Sequence, residues 1–422
     1  MISNKVVAVD FGSTRISVMA AEVLESGAVK VFSEESKPSE DVKWGIVEKP
    51  TGASFKVSEL LKLLTNSSKI GSISLVSVAV GAKSMRIIPV TVSRSLGKLY
   101  EITDELLLDL LDECKKNTNS TNLTLYELIP VSYTIDGKQM DDPVGQTAKQ
   151  ISATYNVVVG NSLIKAELER CFDRTGVLME YNPLAIEALS TVVLEDDERE
   201  IGCALINLGA TTTTLAVYHD GILKNFIVVP LGANNITKDI QELGINETNA
   251  EKLKCLKGFA MDSLVEEPVY IQVAAVEEGA KPVNISTKFL ATIIEARLEE
   301  ILQPVFDIIS NLSFTLEAGI VITGGGAKLK SIIEFIVEKT GINARLGDHS
   351  DWLSEDTDKK FNDPSYAQLI GTILLTHDNR VEHPEVEIIL EEKKRDKKLP
   401  GNGLITKLTK RYADYFSGEI PF

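Results

Sequence analysis

The sequence has few cysteines, few histidines and no long apolar run. Its four cysteines form no CxxC pair; they are Cys114, Cys171, Cys203 and Cys255. This spacing argues against a zinc site or a disulfide framework and fits a reducing cytosol. No stretch approaches 18 consecutive apolar residues, and the apolar N-terminal stretch soon reaches Asp10, so we predict neither a membrane-spanning helix nor a signal peptide.

Basic residues are also scarce relative to acids. The 422 residues include 44 Lys and Arg against 61 Asp and Glu, for a formal net charge of −17. Because such an excess repels phosphate backbones, we expect the body of the protein to have no nucleic-acid partner. The length exceeds that of one hydrophobic core, so two or more lobes are expected.

A hairpin pattern occurs twice in the sequence. Apolar strands are predicted at Lys5–Asp10 and Ile16–Val23, and again at Ile201–Leu208 and Thr213–Tyr218, each pair joined by a Gly-containing polar turn. The repetition predicts a fold made of two related halves. Other predicted elements are a strand at Ile73–Val80 and helices at Val57–Leu64, Glu105–Cys114, Leu163–Thr175, Pro183–Leu194 and Leu290–Ile309.

Three glycine-rich elements carry the candidate nucleotide-binding residues. Glycine lets backbone amides approach a phosphate without a Cβ in the way, and a helix after the third element would point its N-terminus at phosphate. Asp10 can hold Mg²⁺ through water. The candidates are Asp10, Gly12, Ser13, Thr14 and Arg15; then Gly209, Ala210, Thr211 and Thr212; then Gly324, Gly325, Gly326 and Ala327. Taken singly, the elements could be plain β-turns or a strand–helix corner.

In this order, the three elements resemble the phosphate 1, phosphate 2 and adenosine motifs of the actin-like ATPase superfamily. The resemblance implies an α/β, actin-like (ribonuclease H-like, duplicated) two-lobed fold with ATP and Mg²⁺ as cofactors. Pro183–Leu189 and Tyr366–Gly371 resemble the two interdomain helices of that superfamily. Ala250–Lys254 resembles the segment whose Glu and Lys, here Glu251 and Lys254, face ribose and adenine, although an exposed helix start would look the same.

The segment 85–166 resembles the inserted subdomain of the FtsA family of bacterial cell-division proteins. Leu128–Gly137, Asp142–Gly145 and Ala153–Val159 are similar to that family's IPxxYxID stretch, PVG turn and following strand. The resemblance covers residues 5 to about 375 and the tail. It implies four subdomains: IA at 1–84 and 167–199 with a return helix at 366–375, IC at 85–166, IIA at 200–243 and 291–365, and IIB at 244–290. A flexible charged linker at 376–403 and an amphipathic membrane-targeting tail at 404–422 would follow.

Two positions depart from the family pattern. Asn207 stands where the family usually carries Asp, and Asn182 stands where ATP-hydrolysing relatives often carry Glu or Gln. A neutral amide neither holds Mg²⁺ as well as a carboxylate nor accepts a proton. We therefore hypothesise that the protein binds ATP but hydrolyses it slowly or not at all, with Asn182 and Asn207 as substituted catalytic positions.

The C-terminal tail reverses the charge of the rest of the chain. Lys393 to Arg411 contains eight basic residues and one acid. On a helix the apolar residues share one face and the basic ones flank it, which is typical of a helix lying in an anionic lipid surface. A helix docked on the protein's own body is the alternative. The candidate membrane residues are Leu404, Ile405, Lys407, Leu408, Arg411, Tyr412, Tyr415 and Phe416.

The resemblance implies a function as well as a fold. An FtsA-like protein would lie on the cytoplasmic face of the inner membrane at the division septum, self-associate into filaments, and bind the tail of the tubulin-like FtsZ on subdomain IIB. Three other interpretations remain at this point. One is a sugar or acetate kinase of the same fold, and another is a PilM-like pilus-assembly scaffold that would not need the amphipathic tail. The third is a chaperone ATPase.

Overall fold

The computed structural model describes residues 4–68, 70–118, 122–277 and 280–384. The predicted membrane tail, Leu404–Phe422, and most of the predicted linker lie outside the described residues. The chain divides into two compact units. We call residues 4–83 and 167–375 the core unit, and residues 84–166 with those from Thr376 onward the insert unit.

Groups of strands are separated by one or two helices along the chain. In chain order the strands are β1 (Lys5–Phe11), β2 (Arg15–Val23), β3 (Val29–Pro38), β4 (Val42–Lys43), β5 (Ile46–Val47), β6 (Leu75–Val78), β7 (Arg86–Glu101), β8 (Leu123–Ile135), β9 (Lys138–Met140), β10 (Thr147–Asn161), β11 (Leu178–Tyr181), β12 (Cys203–Leu208), β13 (Thr213–His219), β14 (Ile222–Val229), β15 (Tyr270–Val273), β16 (Val283–Ser286), β17 (Gly319–Thr323) and β18 (Ala344–Leu346). The helices are α1 (Pro50–Ser68), α2 (Asp104–Thr118), α3 (Ser162–Phe172), α4 (Ala185–Val193), α5 (Asp196–Ile201), α6 (Ala233–Gln241), α7 (Glu247–Lys257), α8 (Thr287–Ser310), α9 (Ile332–Thr340) and α10 (Ala367–Glu382).

Ten strands of the core unit form two groups of five with the same topology. In the first, of order β11-β6-β1-β2-β3, strands β1 to β3 form an antiparallel meander, and β6 and β11 add in parallel beside β1. In the second, of order β18-β17-β12-β13-β14, β12 to β14 form the meander, and β17 and β18 add in parallel beside β12. This duplication confirms the predicted pair of related halves and the actin-like α/β class.

Buried apolar strands explain why each sheet lies inside its half. Val6, Ala8 and Val9 of β1 are 0 to 1% exposed, and β17 is buried along its whole length. Strands covered on both faces read as continuous apolar runs rather than alternating ones. Helix α8 lays Leu290, Ile294 and Leu298 into the core of the second half.

The insert unit contains four strands and one helix that pack together. Strands β7, β10, β8 and β9 pair in that order, all antiparallel. Helix α2 covers this sheet with Leu106 and Leu110, which join Ile151 and Tyr155 in a separate hydrophobic core. Acids in the first turn of α2 and lysines in its last turn suit the helix dipole.

Several predicted boundaries are corrected. Helix α1 runs from Pro50 to Ser68 rather than from Val57 to Leu64, because buried residues continue at helical spacing from Ala53 to Ser68. The predicted linker at 376–403 begins too early, since α10 continues to Glu382. Thr376 and Arg380, one helical turn apart, are buried there despite the polar sequence. In the part of the chain that the model describes, no helix is long and apolar enough to cross a bilayer.

Candidate functional site

The first candidate element is the turn between β1 and β2. A Cβ added to Gly12 would lie 2.8 Å from the carbonyl oxygen of Arg15, closer than real side chains approach. Glycine is therefore required for this tight turn, and its backbone stays open to a ligand. Asp10 stands directly before the turn, near the end of β1.

The second element repeats that geometry between β12 and β13. A Cβ on Gly209 would lie 2.9 Å from the carbonyl oxygen of Thr212, and the Gly209 N–H donates to the same oxygen at 2.9 Å. Helix α6 supports the turn, since the N–H of Ala233 donates to the Gly209 carbonyl oxygen at 2.9 Å. Gly232 before α6 is needed for this approach, because its Cβ would lie 2.6 Å from the same oxygen. No sequence pattern had indicated Gly232.

The two turns meet face to face. Ser13 Oγ and Thr211 Oγ1 are 2.6 Å apart, although 198 residues separate them in sequence. Thr211 Oγ1 also accepts a hydrogen bond of 3.2 Å from the backbone N–H of Trp44, in the β4–β5 hairpin. The structure thus brings predicted residues of both phosphate elements together. It adds Trp44, which no sequence pattern had indicated.

A side chain of helix α10, far away in sequence, forms a hydrogen bond with Asp10. Gln368 Nε2 of α10 donates to Asp10 Oδ1 at 2.7 Å. Burial raises the pKa of the Asp10 carboxyl to about 6, against the lowering effect of the Arg15 charge. Arg15 itself turns toward the start of α10, where its guanidinium donates to Ser365 Oγ at 3.2 Å and lies 5.5 Å from the ring centroid of Tyr366.

The third element follows strand β17. Gly324 has a φ of +88°, and a Cβ there would overlap Asn207 Oδ1, so the loop packs directly on the end of β12. The helix predicted to start here is corrected: Gly325–Lys328 forms a short 3-10 turn, and α9 begins only at Ile332. The buried Thr323 hydroxyl, just before the loop, has no hydrogen-bond partner among the described residues.

Glu251 and Lys254 lie within α7. Lys254 is 7% exposed, and its Nζ contacts Glu251 Oε2 at 2.7 Å, Thr237 Oγ1 at 2.9 Å and the Ala233 carbonyl oxygen at 3.1 Å. Burial acts to raise the pKa of Glu251, but hydrogen bonds from Lys254 and Thr237 lower it overall. The interpretation as an exposed helix start is wrong, because α7 begins at Glu247 and Lys254 is buried. Lys254 joins α7 to the start of α6, which supports the second turn.

The two substituted catalytic positions differ in their surroundings. Asn207 is half-buried at the end of β12 against the glycine loop. Asn182 is exposed, two residues before the bridge that leads into α4. The predicted interdomain helices α4 and α10 cross closely, because a Cβ on Gly371 would overlap the carbonyl oxygen of Ala188.

These residues suit a nucleotide and its magnesium ion. The two glycine turns face each other, and each carries a hydroxyl that can donate to phosphate oxygens. Beside the glycine loop, the buried Thr323 hydroxyl has no hydrogen-bond partner among the described residues and can donate to an oxygen of the nucleoside. Within residues 4–68, 70–118, 122–277 and 280–384, no group of three or more His, Cys, Asp and Glu could hold a metal. Mg²⁺ is commonly held by one or two carboxylates together with waters and substrate phosphates. A single protein carboxylate, that of Asp10, is therefore sufficient for a magnesium site here.

Two family models match this chain. The model of cell division protein FtsA matches residues 204–371, which include the second turn, α7 and the glycine loop. The model of the SHS2 domain inserted in FtsA matches residues 82–159, most of the insert unit. Together they span more than half of the chain. The chain belongs to the FtsA family.

Curated FtsA proteins align with most of the chain. FtsA of Borreliella burgdorferi is 26% identical over 390 residues, which cover 90% of this chain and 92% of that protein. FtsA of Escherichia coli is 26% identical over 345 residues, covering 78% and 80%. FtsA of Bacillus subtilis is 31% identical over 225 residues, covering 53% and 51%. A cell-division role therefore follows for this FtsA-family chain.

Solved structures of related fold share little sequence with it. The PilM–PilN type IV pilus biogenesis complex has a TM-score of 0.64 at 13% identity and covers 88% of this chain and 98% of that chain. MreB5 of Spiroplasma citri bound to ADP has a TM-score of 0.56 at 13% identity, covering 90% and 99%. Both confirm the actin-like fold of this FtsA relative.

Proposed function

We propose that this FtsA-family protein binds ATP with Mg²⁺, forms filaments on the cytoplasmic face of the inner membrane, and tethers FtsZ there at the division septum. The observation that carries the nucleotide part is the contact of 2.6 Å between Ser13 Oγ and Thr211 Oγ1. It joins two matching glycine turns at the point where phosphates of a bound nucleotide would lie. The cell-division role of the family supports the rest.

Each residue of the site has a distinct task in this proposal. Backbone amides of the two turns, with the hydroxyls of Ser13 and Thr211, would bind the phosphates. The loop from Gly324 would receive the nucleoside. Asp10 would hold Mg²⁺ through water, and the ion would offset phosphate charge. Magnesium binding favours the ionised form of Asp10, whose pKa of about 6 leaves it mostly ionised at neutral pH.

Slow or absent hydrolysis is part of the proposal. Asn207 and Asn182 carry amides, which cannot accept a proton from an attacking water. Asn207 Oδ1 also packs against the glycine loop. Nucleotide would then act as a wedge between the halves of the core unit. Rapid ATP turnover that is lost on replacing Asn207 or Asn182 would contradict this part.

A groove in the second half suits the FtsZ tail. It has a volume of about 420 Å³ and lies mostly within the predicted docking region 244–290. Its lining combines apolar side chains with two cations and two acids: Phe259, Leu264, Val265, Val269, Ile271, Lys257, Lys330, Glu266, Glu267 and Thr287. Exposed apolar side chains rimmed by charge are typical of protein interaction sites.

The amphipathic tail would supply the membrane contact. Basic residues near an anionic surface contribute about 1 kcal/mol each, and an apolar face adds several more, less the cost of ordering the helix. A single tail should therefore bind reversibly. Several tails on one filament would bind far more tightly through effective concentration. Self-association and membrane attachment should reinforce each other.

Vesicle co-sedimentation tests the proposal. Full-length protein and a variant lacking Leu404–Phe422 are spun with anionic vesicles, with and without Mg·ATP and FtsZ. We expect the full-length protein to pellet and to bring FtsZ with it, and the truncated one to stay folded in the supernatant. Lys330→Glu, in the groove, should still pellet but recruit less FtsZ. Pelleting of the truncated protein would refute the anchor, and calorimetry without ATP binding would refute the nucleotide site.

A further inference from the structure

The amide of Gln368 contacts the half-buried end of β1. Its Nε2 lies 2.7 Å from Asp10 Oδ1, and 358 residues separate the two in sequence. Gln368 is the second residue of α10, and its carbonyl oxygen accepts a hydrogen bond of 2.7 Å from Thr372 Oγ1. The backbone from which the amide extends is therefore fixed within a helix.

That helix is also fixed against α4. Gly371, three residues after Gln368, lies so close to α4 that a Cβ there would overlap the carbonyl oxygen of Ala188. Residues three apart share a face of a helix. The crossing of α4 and α10 thus sets the position from which Gln368 contacts Asp10.

The two carboxylate oxygens of Asp10 point in different directions. Oδ1 accepts from Gln368, whereas Oδ2 lies 3.6 Å from the position that a Cβ of Gly12 would take. Oδ2 is therefore on the side of the first phosphate turn. With Oδ1 held, rotation of the carboxylate is restricted and Oδ2 keeps that direction. A neutral amide, unlike a lysine or arginine in its place, adds no positive charge beside Asp10.

We propose that Gln368 is a positioning residue for magnesium: it holds Asp10 Oδ1 so that Oδ2 faces the first phosphate turn and accepts a hydrogen bond from a water of nucleotide-bound Mg²⁺. The inference rests on the proposed nucleotide site and adds a residue from outside the three glycine elements. Groups that orient the ligands of a metal commonly contribute tenfold or more to its affinity. Because Gln368 lies beside the α4–α10 crossing, the same bond links the direction of the carboxylate to that crossing.

The test compares Gln368→Met, which keeps the length of the side chain and removes its donor, with Gln303→Met. Gln303 is a matched control, because its Nε2 donates to Asp307 Oδ1 at 2.6 Å on the exposed surface of α8. ATP affinity is measured by calorimetry with Mg²⁺ and with EDTA, and folding is checked by circular dichroism. If Gln368→Met does not fold, Gln368→Asn, whose amide is one methylene shorter, takes its place.

We expect magnesium to raise the ATP affinity of the wild type and of Gln303→Met equally, and Gln368→Met to lose about tenfold of this enhancement. Affinity in EDTA should stay within about twofold, because the nucleotide contacts remain. An equal loss with and without Mg²⁺, or no loss at all, overturns the inference. A wild type that binds no ATP under either condition instead overturns the proposed function itself.

A double-mutant cycle with Asp10→Asn separates positioning from other effects. If Gln368 acts through Asp10, Gln368→Met should change the magnesium-dependent affinity little once the Asp10 carboxylate has been replaced by an amide. Additive losses from the two substitutions would show that Gln368 acts elsewhere, and would overturn the assignment.

Discussion

Replacing Asp10 with asparagine should stabilise the nucleotide-free protein. Burial raises the pKa of this carboxyl from its ordinary 3.8 to about 6 in the folded state. Since the folded state holds its proton more tightly than the unfolded one, folding is favoured at low pH, and the free energy of unfolding falls as pH rises from 3.8 to 6. Above pH 6 the full free-energy cost of ionising the folded-state carboxyl is present.

The size of the effect follows from the two pKa values. At pH 8, ionising Asp10 in the folded protein costs about 3 kcal/mol relative to the unfolded chain, and at pH 5.5 about 2 kcal/mol. The substituted amide is neutral at both pH values, and its oxygen can still accept from Gln368. Asp10→Asn should therefore gain up to these amounts, with the larger gain at pH 8.

Urea unfolding in EDTA without nucleotide measures the change. The fluorescence of Trp44 and Trp352 reports the unfolding of the core unit, to which Asp10 also belongs. Asp363→Asn is the control of opposite sign. Burial acts to raise the pKa of Asp363, but hydrogen bonds from Lys328 and Ser365 lower it overall, so this substitution should destabilise the protein at pH 8. A neutral or destabilising Asp10→Asn at pH 8, or a gain that shrinks with rising pH, would refute the reasoning.

Two glycine substitutions test the site and the helix crossing. Gly324→Ala should cost about 1–3 kcal/mol for a backbone conformation (φ +88°, ψ 173°) that is essentially restricted to glycine, plus the displacement of Asn207, and should weaken ATP binding in calorimetry. Gly371→Ala should push α10 away from Ala188 and cost about 1–3 kcal/mol, which scanning calorimetry would record as a melting temperature lower by several degrees.

Two other glycines serve as controls. Gly341 also has a positive φ, of +70°, but a Cβ there meets nothing within 4 Å, so Gly341→Ala should show the backbone cost alone. A Cβ at Gly325 would likewise have no atom within 4 Å, so Gly325→Ala should leave the free energy of unfolding unchanged. If Gly324→Ala were no worse than Gly341→Ala, the close packing of the glycine loop on β12 would be refuted.

The sequence predicted what depends on local patterns. Apolar runs around Gly-containing turns were enough for both hairpins, because strand alternation and turn chemistry are read within about ten residues. The repeated hairpin predicted two related halves, and the resemblance to the actin-like superfamily implied their fold. The extent of α10 was not predicted, because its last residues are polar and only their burial through tertiary contacts keeps them helical.

The contacts that complete the candidate site could not be predicted. The bond from Gln368 to Asp10 joins residues 358 apart, and that from Trp44 to Thr211 joins residues 167 apart. Trp44 has a φ of +54°, unusual for a bulky residue, so no turn preference would have placed it there. Such pairs arise only when the whole fold brings distant segments together.

The two ends of the inserted segment 84–166 lie side by side. Arg86, at the start of β7, pairs with Val159, near the end of β10, so the chain leaves and returns at neighbouring points. Adjacent ends of this kind make a segment a candidate for exchange, because another module with adjacent termini could be grafted in its place. Such an exchange would leave the groove proposed for the FtsZ tail in place, because that groove lies in the core unit.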